Sequence, residues 1–177
     1  MAIDSFLYFE KPGNASIKVE GESTDKWGKT KKAFEINSYG FGVENVATIG
    51  SKSGGAGAGK ANFEVFEISK NIDSASPVLF QCCVQGVHFG TVGLALRKSG
   101  GGSDSAEPYL IYEFKLVFLN SVKWSGSGDD PPEESISFAY GAMTIKYHPH
   151  KPDGTMDTTA EIGLWSQVLN KRSADIA

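Results

Sequence analysis

Apolar and polar residues alternate along most of this chain, with the period of strands that bury one face. Between Tyr109 and Trp124, the residues Leu110, Tyr112, Phe114, Leu116, Phe118, Val122 and Trp124 share one parity. Glu113, Lys115, Ser121 and Lys123 share the other, with the apolar pair Val117 and Leu119 on the outer side. At about 3.3 Å per residue this run would span roughly 50 Å, longer than a common strand, so it must bend or bulge. From Ser135 to Tyr147, Ile136, Phe138 and Tyr140 hold even positions and Met143, Ile145 and Tyr147 odd ones. That switch beside Gly141 predicts a β-bulge there. Ala61 to Ser69 switches in the same way, from Phe63 and Val65 to Phe66 and Ile68. Further strands are expected over Ile3 to Phe9, Ile17 to Val19, Phe34 to Val46, Val87 to Leu96 and Thr158 to Trp165, with turns where Gly, Pro and Asp cluster.

One segment reads clearly as helix. Ser76 offers an N-cap hydroxyl, Pro77 fits the first helical position and Gly86 terminates, giving roughly 9 residues of helix. Leu79 and Cys83 share one face and Phe80 and Val84 another, so this helix is apolar nearly all round and should be buried. About eight strands and one helix make a mainly β protein, a closed or nearly closed barrel or a two-sheet sandwich.

The length of 177 residues suits one domain with a substantial core, expected to be the whole chain, 1–177. A net charge of -4 requires any nucleic-acid site to rest on a local basic patch, and Lys29, Lys31 and Lys32 form the one such cluster. No aromatic platform is interleaved with it, so it reads as a solvated loop, and no nucleic-acid partner is expected. The N-terminus lacks a basic signal-peptide region and places Asp4 within its apolar stretch, and no run reaches the roughly 18 apolar residues of a membrane span. The expectation is a protein made in the cytoplasm, without membrane insertion. Cys82 and Cys83 are adjacent on the helix and read as buried thiols.

Candidate chemistry is sparse. Gly54-Gly55-Ala56-Gly57-Ala58-Gly59-Lys60-Ala61 approaches a phosphate-binding loop, but Ala61 stands where the metal-binding hydroxyl belongs, and the chain beyond reads as strand. The stretch reads instead as a low-side-chain loop in which glycine permits close backbone approach. His148-Pro149-His150 reads as an exposed turn, and the adjacent Glu133 and Glu134 point to opposite faces of a strand, so they form no acid and base pair. No catalytic, cofactor or metal site is expected, and the protein reads as a non-enzyme. The sequon Asn14-Ala15-Ser16 carries little weight without a secretory signal.

Several ordered segments together resemble the Hcp family, the haemolysin-coregulated tube proteins of bacterial type VI secretion systems. They include Ala2-Ile3-Asp4-Ser5-Phe6, Gly21-Glu22-Ser23-Thr24-Asp25, Ser38-Tyr39-Gly40-Phe41-Gly42, the Gly54 to Lys60 loop and Lys70-Asn71-Ile72-Asp73-Ser74-Ala75-Ser76-Pro77. Gly86-Val87-His88, Leu96-Arg97-Lys98-Ser99-Gly100-Gly101, Pro132 to Phe138 and Tyr147 to Gly154 complete the set. The resemblance implies a β-barrel of two antiparallel sheets with one short flanking helix. It implies hexameric rings stacked into a tube inside a contractile sheath, tipped by a VgrG-type spike protein and propelled from the cell without a cleaved signal peptide, with effectors carried in the lumen. It places a ring-stacking loop at Val46, Ile49, Gly50, Gly54, Gly55, Gly57, Gly59 and Lys60. It places Ser38 and Gly40 on the lumen-lining strand, with Gly40 where the family often carries a second serine.

The strand Ile3 to Phe9 is apolar on both parities and would leave surface for a neighbouring subunit to cover. Two other readings compete: a tail-tube protein of a phage-like contractile injection machine, and a carbohydrate-binding β-sandwich using Trp27, Trp124 and Trp165.

Overall fold

The structure, a computed structural model, describes residues 3–12, 17–48, 57–99 and 107–177. In chain order the elements are β1 (Ile3–Pro12), α1 (Lys26–Lys31), β2 (Phe34–Glu35), β3 (Ser38–Gly40), β4 (Val43–Glu44), β5 (Ala47–Thr48), β6 (Gly57–Ala58) and β7 (Asn62–Phe63). Beyond these lie β8 (Phe66–Asn71), α2 (Ser76–Gln85), β9 (His88–Lys98), β10 (Leu110–Ser125), β11 (Glu133–Tyr147) and β12 (Glu161–Ser166).

The protein is mainly β. One antiparallel sheet runs β2-β1-β9-β10-β11-β8-β3, with β12 also on β11, and two-stranded ribbons β4-β7 and β5-β6 stand apart from it. The two ends of that order, β2 and β3, lie on one stretch of chain separated only by Ile36 and Asn37. There the Ile36 amide donates to the Ser5 carbonyl and the Asn37 amide to the Ser69 carbonyl, so a single segment bridges both edges of the curled sheet. Phe34 to Val46 is therefore not one strand: it changes partner twice. Ile17 to Val19, expected as a strand, is irregular chain.

The core lies inside the curl. Leu7, Phe34, Phe66, Phe89, Phe114, Phe138 and Leu79 are all buried there, and Phe66 stacks on Phe114 at 4.4 Å between ring centroids. Along β10 the buried face changes hands. Phe114 points in as expected, but Val117 and Leu119 are buried beyond it and Phe118 is 39% exposed. The cause is Leu116, which adopts φ 52, a left-handed conformation that turns the following side chains over. The register on either side is unchanged, Lys115 opposite Ala142 and Val117 opposite Tyr140, so Gly141 carries the parity switch without being a bulge. A Cβ at Gly141 would lie 3.2 Å from the Leu116 side chain and 3.0 Å from Val168, so glycine lets the strands pack closely there. The register shift itself falls between Leu119 and Ser121 on the opposite strand.

A second, smaller core occupies the outer face. Phe6, Tyr8, Ala33 and Ala95 are buried there with Trp27 packed on them. Trp27 belongs to α1, a short helix in the stretch read as a solvated loop. Asp25 caps it by accepting from the Trp27 and Gly28 amides at 2.8 and 3.0 Å. Apart from Ile3, which is 52% exposed, the apolar surplus on β1 is thus covered within the chain, and the case for a neighbouring subunit cannot rest on it.

Two charge clusters tie the layers together, one half-buried and one fully buried. Arg97 donates to Asp4 and Asp25 at 2.8 and 2.7 Å, joining β9, β1 and the α1 cap. Lys70 and Glu134 are both fully buried. The Lys70 Nζ lies 2.9 Å from Asp73 and 3.3 Å from Glu134, and donates to the Ser76 hydroxyl and the Asn71 carbonyl. Ser76, expected to cap the helix, is instead its first residue and donates to Glu134 at 3.1 Å.

The expected helix is present and ends at Gly86 with φ 65. Its burial is one-sided: Leu79 and Cys82 are buried, whereas Phe80 and Val84 are 46% and 67% exposed. Cys83 is half-buried and both thiols are free. Among the described residues no helix is long and apolar enough to cross a membrane.

Candidate functional site: an arm and a serine-lined wall

Between β3 and β8 the chain leaves the curled sheet as an antiparallel arm. Its base is set where the Glu64 amide donates to the Gly42 carbonyl at 2.9 Å. Val43 pairs with Phe63 and Glu44 with Asn62, then Ala47 with Ala58 and Thr48 with Gly57. The Asn62 side chain donates to Glu44 at 3.0 Å, and the Gly59 amide donates to the Val46 carbonyl at 3.1 Å.

A Cβ on Gly59 would stand 2.7 Å from the Val46 carbonyl oxygen. Gly59 therefore allows close approach within the arm itself, so its glycine has a local reason that sequence alone could not separate from contact with another subunit. Val46 is 71% and Val43 56% exposed. Among the described residues, nothing covers these branched apolar side chains on the two-stranded ribbon. Lys60 is exposed at the approach to β7, and it leads into a strand rather than a helix, so the amides and dipole of a phosphate loop are missing. Ile49, Gly50, Gly54 and Gly55 lie outside the described residues.

The second surface is the outer face of the sheet across β3, β8, β11 and β10. Register places Ser38, Ser69, Ser135 and Lys123 in one cross-strand row, and Gly40, Glu67, Ser137 and Ser121 in the next. These residues line a shallow concavity of about 450 Å³. Ser38 and Ser69 hydroxyls lie 2.8 Å apart, and those of Ser121 and Ser137 2.7 Å apart, so the small polar groups satisfy one another across strands. The opposite parity of the same strands, Ile68, Ile136, Phe66 and Phe138, is in the core. A Cβ at Gly40 would meet nothing within 4 Å, so the glycine leaves a gap in the polar rows rather than meeting a steric demand.

Sequence reading found Ser38 and Gly40 but missed the rest of the wall. Ser69, Ser121, Ser135 and Ser137 come from three strands, and only their register makes them neighbours. It also missed the Lys70 and Glu134 pair, because a strand glutamate is ordinarily solvent-facing. No cluster of His, Cys, Asp and Glu suited to a metal occurs among the described residues. The His148 ring hydrogen-bonds with the Asp157 carbonyl, tying a turn. Of the three tryptophans only Trp124 is exposed, at 50%.

Residues 6–147 match the family described as type VI secretion system effector, Hcp. Protein hcp1 of Pseudomonas aeruginosa is 33% identical over 99 residues, which is 55% of this chain, and the chain spans 60% of that curated relative's length. Among solved structures, a type six secretion system protein superposes with a TM-score of 0.83 at 32% identity, covering 97% of this chain and all of the other. Hcp1 from Salmonella typhimurium superposes with a TM-score of 0.72 at 25% identity, covering 98% of this chain and all of its own. The family match runs from β1 to the last residue of β11 and takes in both the arm and the serine wall, and the chain belongs to the Hcp family of type VI secretion system effectors.

Proposed function

We propose that this protein is a structural tube subunit of a type VI secretion system, the whole chain forming one barrel that assembles into hexameric rings and stacks through the arm. The observation that supports this reading is the arm: a ribbon standing apart from the curled sheet that holds Val43 and Val46 in solvent offers apolar surface to another molecule. The serine wall suits the lumen of such a tube. Its hydroxyls are paired with one another, and Glu67 and Lys123 bring one charge of each sign, so the wall presents no net charge to passing cargo. On this reading Val46, Gly57, Gly59 and Lys60, with Ile49, Gly50, Gly54 and Gly55, belong to the stacking arm, and Ser38 and Gly40 to the lumen.

Ring contacts of this kind are heterologous, one surface meeting a different surface of the neighbour, with a rotation that closes. The sheath, a VgrG-type spike and secreted effectors are the partners the tube would meet, and export through the same machine, without a cleaved signal peptide, would take the protein from cytoplasm to target. Each subunit carries -4, so stacked rings repel and salt should favour tubes over separate rings. Native mass spectrometry at micromolar concentration tests the reading: hexamers are expected, and a strictly monomeric protein would contradict it.

A further inference from the structure

Beside α2 the surface opens into an apolar groove of about 400 Å³, walled by Ile72, Pro77, Phe80 and Trp124 together with Asp73 and Ser76. Ile72 is 43%, Phe80 46% and Trp124 50% exposed. The two polar walls are already committed. Asp73 accepts from the Ala75 amide and pairs with Lys70. The Ser76 hydroxyl accepts from Lys70 and the Asp73 amide and donates to Glu134. Lys70 is fully buried and balanced by two carboxylates, so it lends the groove no positive charge. An occupant must therefore be recognised by apolar contact inside the groove and by charge at its rim.

The aromatic pair is set in place before anything binds. Trp124 donates its indole N–H to Glu134 at 2.8 Å, and the Phe80 ring lies 5.9 Å from that of Trp124. Exposed aromatics with a fixed orientation lose little freedom on binding, which is the condition for an interface hot spot. The face of an indole also attracts a cation.

The charge at the rim has one sign. Asp129 and Asp130, both exposed, lie on the hairpin between β10 and β11. That hairpin runs on past the end of β8, where Asn71 pairs with Glu133 and the Ile72 amide donates to the Pro132 carbonyl at 3.4 Å. On the approach to α2 the exposed Glu22 accepts from the Ser74 amide at 3.2 Å, next to Asp73. Among the described residues none of these three carboxylates has an ion-pair partner. Lys123 precedes Trp124 in the chain but lines the serine wall on the other face.

We propose that this groove docks a basic, apolar segment of a partner protein. An aliphatic or aromatic side chain sits against Phe80 and Trp124, and a neighbouring lysine or arginine lies over the indole face and toward Asp129 and Asp130. Complementary charge selects this occupant, because a rim of unpaired carboxylates favours a cationic segment and repels an acidic one. A second copy fits less well, since the chain itself carries -4. The surface goes beyond the tube reading and makes no use of the arm.

The test is fluorescence anisotropy on the full chain with two labelled synthetic probes, a peptide of leucine and lysine and its counterpart with glutamate in place of lysine. The lysine peptide should bind saturably and weaken as salt rises, and the glutamate peptide should not bind. Phe80→Ala should leave the melting temperature in place and lower the affinity about tenfold. Asp129→Asn combined with Asp130→Asn should lower it about fivefold. No binding of the lysine peptide, or equal binding of both peptides, would overturn the proposal. So would an affinity unchanged in Phe80→Ala, which would place the peptide elsewhere on the acidic surface. Sedimentation of the protein alone separates the remaining occupant: an assembly of the parent that Phe80→Ala disperses would give the groove to a second copy and overturn the proposal as well.

Discussion

The curled sheet and the arm are built from the same kinds of residue and meet opposite fates. In the sheet, Phe66, Phe114 and Phe138 are fully buried against one another, because each strand has a partner face across the curl. In the arm, Val43 on β4 and Val46 just beyond it stand in solvent, because among the described residues the two-stranded ribbon has no opposing layer. Burial follows from the number of layers available and not from hydrophobicity alone. The sheet buries its apolar residues within the chain, and the arm leaves apolar side chains in solvent.

The sharpest way to break this comparison is to truncate matched apolar residues in each region. Phe114→Ala should cost about 3 to 5 kcal/mol in chemical denaturation, since it empties the centre of the core. Val46→Asp should fall within about 0.5 kcal/mol of the parent protein while abolishing stacking in light scattering. Comparable losses from both changes would show that the arm is part of the folded core.

Removing half of a buried ion pair probes the layer between. Glu134→Ala leaves Lys70 with Asp73 as its remaining carboxylate and leaves the Ser76 hydroxyl and the Trp124 indole N–H without their acceptor, and should cost about 1 to 3 kcal/mol by urea titration. Leu79→Ala should cost about 2 to 5 kcal/mol, because Leu79 is the buried face of α2, against little change for its exposed neighbour Phe80. Equal effects at the two positions would refute the one-sided burial of that helix.

How much of this could be read in advance differs element by element. α2 was legible because Pro77 and Gly86 are local signals that need no tertiary context. The helix α1 was not: six residues containing Gly28 and Thr30 have weak propensity, and only Asp25, a capping residue ahead of Trp27, marks it. Strand positions were read correctly over β1 and β9 to β11, but the inward face of β10 was assigned wrongly beyond Leu116, since nothing in a leucine announces a left-handed backbone. The arm was visible as a glycine-rich interruption, whereas the wall needed a register that no single strand contains. The Lys70 and Glu134 pair joins residues distant in sequence and was invisible for the same reason.

Smaller effects come from titration. Tyr140 is buried with no hydrogen-bond partner for its hydroxyl among the described residues, and burial, with help from Glu64, pushes its pKa up to about 12. Folding therefore favours the neutral phenol. That stability is complete below the ordinary tyrosine pKa near about 10 and is lost as pH rises toward 12. Tyr140→Phe should flatten this alkaline limb and stabilise the neutral-pH protein by about 1 kcal/mol, as a thermal melt series would register. Burial pushes Tyr8 up as well, so some alkaline dependence should remain.

At the other end of the scale, the hydrogen bond from Arg97 holds the Asp25 carboxyl below its usual range. Its contribution is present above the ordinary aspartate pKa near about 4 and disappears as pH falls through the lowered value. Arg97→Met should therefore show a shallower acid limb than the parent protein in pH-dependent melts, and an unchanged limb would deny the coupling.

Negative-stain electron microscopy of the purified protein beside Val46→Asp tests the central claim most directly. The account predicts open-centred hexameric rings from both and stacked tubes from the parent alone, increasing with salt. Loss of the rings themselves in Val46→Asp would place the arm in the ring contact, and a parent protein that forms neither rings nor tubes would contradict the tube assignment.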